Sequence, residues 1–150
     1  MTKTEAVKKI RNHLDKRSNH SVTPSKRMIY YWWKVCNVAL FNNKLYPPVI
    51  EISFTPIVEW GYCSAVGEEI EIGICPTIKT RGLFLATLIH EMVHQWEQQN
   101  YDKMSHGKKY HSWKVRIKKS IGLDIHVDVD VDDEEDGKKQ LYKRRHKNSL

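Results

Sequence analysis

The chain has 150 residues, is 40% hydrophobic and carries 25 Lys and Arg against 18 Asp and Glu, a formal charge of +7. This suits one globular domain with a core, not two, and no stretch approaches the roughly 18 uninterrupted apolar residues of a membrane span. Three scattered cysteines, Cys36, Cys63 and Cys75, form no C-x-x-C pair, which argues against a disulfide framework or a cysteine zinc site and for a reducing, cytoplasmic compartment.

In chain order, Met1 to Arg17 is charged throughout and lacks the apolar stretch of a secretory signal. Val7, Ile10 and Leu14 within it predict a short helix over residues 4–17. Thr23-Pro24 resembles a helix start. From Ser25 to about Asn42, Met28, Ile29, Trp32, Val35, Cys36, Ala39 and Leu40 form one apolar stripe, so an amphipathic helix is expected, with Trp32 in the core and Trp33, off the stripe, packed on a neighbouring element in preference to stacking on bases. Three short strands follow. Val49 to Phe54 alternates Ile50, Ile52 and Phe54 with polar residues, Tyr62 to Val66 is a weaker run, and Glu69 to Ile74 alternates most clearly. Gly67-Glu68 predicts a hairpin turn, and hence a small, mainly antiparallel three-stranded sheet.

The run His90-Glu91-Met92-Val93-His94 is an H-E-x-x-H pattern. Around it Leu85, Leu88, Ile89, Met92, Val93 and Trp96 recur at helical spacing. At about 100° per residue their stripe centres near Met92, leaving His90 and His94 side by side on another face with Glu91 beside them. Two imidazoles one turn apart can share a zinc ion, and the intervening glutamate can act as a base on water. Catalytic zinc takes a third protein ligand. The metzincin pattern wants glycine three residues beyond the second histidine, where this chain has Glu97, which reads as rotated away from the site. His106 and His111 are the remaining candidates. His106 is favoured because Gly107 lets the chain turn before a helix containing Tyr110, Trp113, Ile117 and Ile121; His111, inside that helix, is the alternative.

Leu88 to His94, followed after eleven residues by His106-Gly107-Lys108-Lys109-Tyr110, resembles the SprT-like zinc metallopeptidases, the group that includes Spartan. Phe41-Asn42-Asn43-Lys44-Leu45 before Pro48-Val49-Ile50 is similar too, and the likeness covers about residues 28–123. It implies an α+β, zincin-like fold with N-terminal helices, the small sheet, the motif helix and a following helix. It also implies Zn2+ as cofactor on His90, His94 and His106, Glu91 as the catalytic residue, and a polypeptide substrate laid along an edge strand between Tyr62 and Ile74. His111 and Tyr110 stand near enough in sequence to be considered for stabilising the oxyanion. Many members of the group add a cysteine zinc ribbon; no cysteine follows Cys75 here.

Residues 1–123 carry 19 basic and 10 acidic residues, and residues 124–150 carry 6 and 8. The basic body suits contact with DNA, although no base-reading motif accompanies it. The domain is expected to span 1–123, as a monomer without membrane association. Beyond it, Ile125 to Val131 reads as a terminal strand, followed by an acidic linker and a basic tail. Asp128, Asp130 and Asp132 do not make a calcium loop, since Asp133 and Lys139 stand where glycine and glutamate are required. The expected function is a zinc-dependent metalloendopeptidase acting on proteins, on or near DNA. The alternative is a nucleic-acid-binding or adaptor protein with a structural or degenerate zinc site.

Overall fold

The computed structural model describes residues 1–15, 22–53 and 60–125; the expectations for residues 126–150, for Phe54 and for residues 16 and 17 lie outside these. Among the described residues the architecture is α+β, with four helices and one three-stranded mixed sheet. No described helix is long and apolar enough to cross a membrane.

Helix α1 (Lys3–Asp15) buries Ala6 and Ile10 and lies along α2 (Lys26–Leu40). The capping hydroxyl of α2 comes from Ser25, which accepts from the Met28 N–H at 3.1 Å, and not from Thr23. A side chain at that position satisfies an amide that the first helical turn would otherwise leave bare. Trp33, off the stripe, packs on a neighbouring element and is the more buried of the two tryptophans. Trp33 is buried and its indole N–H donates to Gln95 Oε1 at 3.0 Å, while Trp32 is only half-buried. The buried indole N–H thus has a polar partner on a distant helix, which an apolar stripe does not reveal.

Strands β1 (Val49–Ile52), β2 (Gly61–Val66) and β3 (Glu69–Ile74) stand in the order β1-β3-β2. The hairpin pairs β2 and β3 antiparallel, Gly61 facing Ile74 and Val66 facing Glu69 across Gly67, whose φ is +61°. The β1–β3 pair is parallel, Val49 facing Glu71 and Ile52 facing Ile74. The sheet is thus mixed, not mainly antiparallel. Strand β3 takes the centre: it buries Ile70, Ile72 and Ile74 and has a neighbour along both edges.

Two glycines permit close approaches that place the sheet. A Cβ on Gly61 would meet the Gly73 carbonyl oxygen and Thr87 Cγ2 at 2.8 Å each, so the start of β2 lies tight on the next helix. A Cβ on Gly73 would stand 2.0 Å from Cε1 of Tyr62, whose ring lies across β3 with its hydroxyl donating to Glu71. Gly73→Ala must displace that ring and break its anchor. We expect a loss of about 1–3 kcal/mol, read as a lower midpoint in urea; an unchanged midpoint would contradict the packing described.

Helix α3 (Arg81–Tyr101) starts at Thr80, whose side chain accepts from the Leu83 N–H at 3.2 Å. It crosses the sheet and also contacts α1, α2 and α4 (Lys108–Ile121). The sequence suggests one buried face. Instead every residue from Phe84 to Gln95 is buried, so α3 is the central helix of the fold. The motif side chains are held inside the protein and do not lie on a solvent-facing flank.

Candidate metal centre

His90 and His94 project from successive turns of α3, and both are fully buried. The helix continues two turns past His94 and ends at Asp102, which reverses the chain in the left-handed conformation at φ +55°. Aspartate accepts that conformation more readily than most residues. The return stretch brings in His106, which is 9% exposed. Gly107 then caps α4 at φ −85°, a value open to any residue, and a Cβ there would meet only Ser105 Oγ at 3.4 Å. The reversal expected of Gly107 is made by Asp102 instead.

The three imidazoles converge through their Nε2 atoms. His90 to His94 is 3.2 Å, His94 to His106 is 3.0 Å and His90 to His106 is 3.1 Å. Three nitrogens held at about 2.0–2.1 Å by a tetrahedral zinc ion would stand roughly 3.3 Å apart. The fit is close. His111, the alternative third ligand, is exposed on α4 and lies outside this cluster.

Groups behind two of the rings turn the Nε2 atoms of His90 and His94 inward. The Nδ1 of His90 stands 3.0 Å from the Tyr110 hydroxyl, which donates onward to the Ile125 carbonyl at 3.4 Å. With the hydroxyl hydrogen used on Ile125, its oxygen accepts from a protonated Nδ1. His94 Nδ1 stands 3.1 Å from Glu97 Oε1, a carboxylate that can only accept. Both rings therefore carry hydrogen on Nδ1 and turn an Nε2 lone pair inward. These two lone pairs repel, and a cation between them removes the repulsion. This is the tautomer that a histidine metal ligand needs, fixed by partners on its far nitrogen.

Two of these partners escape a reading of the sequence. Glu97 is 1% exposed and packed against His94. Its i+3 spacing from His94 was the available signal, since residues three apart share a helix face. Burial raises the Glu97 carboxyl above its ordinary range, opposed by hydrogen bonds from Ser105 and by the charges of His106 and Lys109. Tyr110, considered for the oxyanion, is fully buried with its hydroxyl committed behind His90.

Glu91, on the same turn as His90, is fully buried. Cys63 on β2 lies close by: burial, then the charges of Glu91 and Glu97, hold its thiol well above the usual range. It is a neutral neighbour and stands outside the histidine cluster. Three buried histidines are thus grouped so that they can hold a metal ion. A scan against models of known protein families finds no match, and a search of curated proteins finds none either.

Proposed function

We propose that this chain is a zinc-dependent metalloendopeptidase of the SprT-like, zincin-like kind, with His90, His94 and His106 as the zinc ligands and Glu91 as the catalytic residue. The observation that carries the reading is the 3.0–3.2 Å triangle of Nε2 atoms with a glutamate set between its first two members on the same helix. Zinc bound there would polarise a scissile carbonyl and make water more acidic.

The chain's own groups supply the rest. Glu91 takes a proton from the attacking water and delivers it to the leaving amine as the C–N bond breaks. Tyr110 and Glu97 hold two ligands in the required tautomer. His111, exposed beside Tyr110 at 5.3 Å between ring centroids, is the remaining candidate for the oxyanion. Among the described residues β2 is an outer strand and packs on α3, so an extended polypeptide pairing with it would pass close to the motif helix. Such pairing reads backbone more than side chains and favours unfolded protein.

One observation favours the second reading, a nucleic-acid-binding or adaptor protein with a structural ion. Helix α4 carries six basic side chains, Lys108, Lys109, Lys114, Arg116, Lys118 and Lys119, and no acidic one. That reading does not call for a base at Glu91. The same helix suits DNA contact by a peptidase, so the two readings part on catalysis.

The test is a metal measurement and a cleavage assay on the same purified protein. We expect about one zinc per chain and cleavage of casein that a chelator abolishes, measured with and without single-stranded DNA. Zinc without cleavage under either condition would favour the second reading; the absence of zinc would remove both.

A further inference from the structure

We propose that Glu97 is a positioning residue that sets how tightly the histidine cluster holds its metal, by clamping His94 to the segment that delivers His106. The proposal rests on the metal-binding part of the reading above and not on peptide hydrolysis.

Glu97 touches both sides of the site. Its Oε1 accepts from His94 Nδ1 at 3.1 Å. The Ser105 hydroxyl donates to its Oε2 at 3.1 Å, and the Ser105 N–H approaches Oε1 at 3.4 Å. Ser105 Oγ in turn accepts from the Gly107 N–H at 3.3 Å. One carboxylate thereby fixes the second histidine directly and the residues on either side of the third. His106 lies between α3 and α4, outside helix and strand. Nothing in regular structure sets its position, so side-chain bonds and packing must.

Two alternative roles fit the geometry less well. A side chain kept at this place for packing alone would be apolar, because a carboxylate buried to 1% exposure loses its hydration. A fourth ligand would have to approach the Nε2 side of the rings. Glu97 instead sits on the Nδ1 side of His94 and lies outside the cluster of converging ligand atoms. A carboxylate behind a ligating imidazole fixes the ring's orientation and strengthens the nitrogen that faces the metal.

The test uses the full chain, with zinc affinity from competition with a chromogenic chelator, zinc release followed in time, and the visible absorption of the cobalt-loaded protein. Each variant is compared at a temperature where its circular dichroism shows it folded without metal. Glu97→Ala should bind zinc about 10–100-fold more weakly, release it faster and alter the cobalt spectrum. Glu97→Gln keeps an acceptor for His94 and the side-chain volume, and should lose less. Ser105→Ala should weaken binding several-fold alone and clearly less in the Glu97→Ala background, because both changes open the same clamp and only the Ser105–Gly107 bond is left to lose. Wild-type affinity and release in Glu97→Ala would overturn the proposal, as would full additivity with Ser105→Ala. Should Glu97→Ala not fold, wild-type affinity in both Glu97→Gln and Ser105→Ala overturns it. A wild-type chain that binds neither zinc nor cobalt defeats the metal reading itself, an outcome distinct from metal binding indifferent to Glu97.

Discussion

Glu91→Gln should leave zinc binding intact and lower peptide cleavage by about 10²–10⁴-fold, the range a positioned proton-transfer group supplies. The substitution preserves the volume of a fully buried side chain, so it opens no cavity beside Ile89 and Met92, both at 0% exposure. It also leaves the three converging nitrogens untouched, since Glu91 is not among them. What it removes is basicity: an amide cannot take a proton from water at neutral pH. Metal content and single-turnover cleavage, measured on the same preparation, separate the two effects. Undiminished cleavage would overturn Glu91's role, and loss of metal would mean that Glu91 belongs to the metal's support.

The second large effect concerns stability. Zinc that binds the folded chain and not the unfolded one adds about 2.7 kcal/mol at 100 times its Kd and about 4.1 kcal/mol at 1,000 times. For a domain of this size that is a rise in Tm of roughly 10 °C over the chelator-treated protein. His106→Ala should remove most of the rise while leaving the metal-free protein close to wild type. The asymmetry follows from position. His106 sits on the return stretch, while the core is carried by Ile10, Ile29, Ile72, Ile74, Phe84, Leu88 and Ile117, all at 0% exposure and supplied by every helix and by the central strand. Equal melting temperatures with zinc and with chelator would mean that the three nitrogens converge for some reason other than metal.

Local pattern carried much of the fold. The alternation of Ile70, Ile72 and Ile74 marks β3 over its whole observed length, and Gly67 marks the hairpin because only a residue at ease with positive φ closes it. The stripe around Met92 locates α3, and H-E-x-x-H followed by His106 picks out the residues that meet. Other features were not legible. Alternation says that a segment is a strand but not which strand lies beside it, so the parallel β1–β3 pair and the mixed sheet were missed. A stripe gives a helix's first buried face but not whether neighbours cover the rest, so the all-round burial of α3 was missed. The partners of Trp33 and Glu97 were not legible, for one shared reason. Each residue is polar or off the stripe, and the hydrogen-bond partner of each lies distant in the chain or beyond the helix end, Gln95 for Trp33 and Ser105 for Glu97.

By itself, then, the sequence determined the elements whose signal lies within a few residues: the helices, the strands, and two histidines one turn apart with a glutamate between them. Only the tertiary structure decided what those elements enclose. It brought His106 to within 3.1 Å of His90, set Tyr110 and Glu97 behind the rings of His90 and His94, and left His111 outside the cluster. The physical reason is range. Helical and strand periodicity follow from backbone geometry between near neighbours, whereas ligand convergence and imidazole tautomer depend on contacts that form only after α3 has turned at Asp102 and α4 has packed back against it.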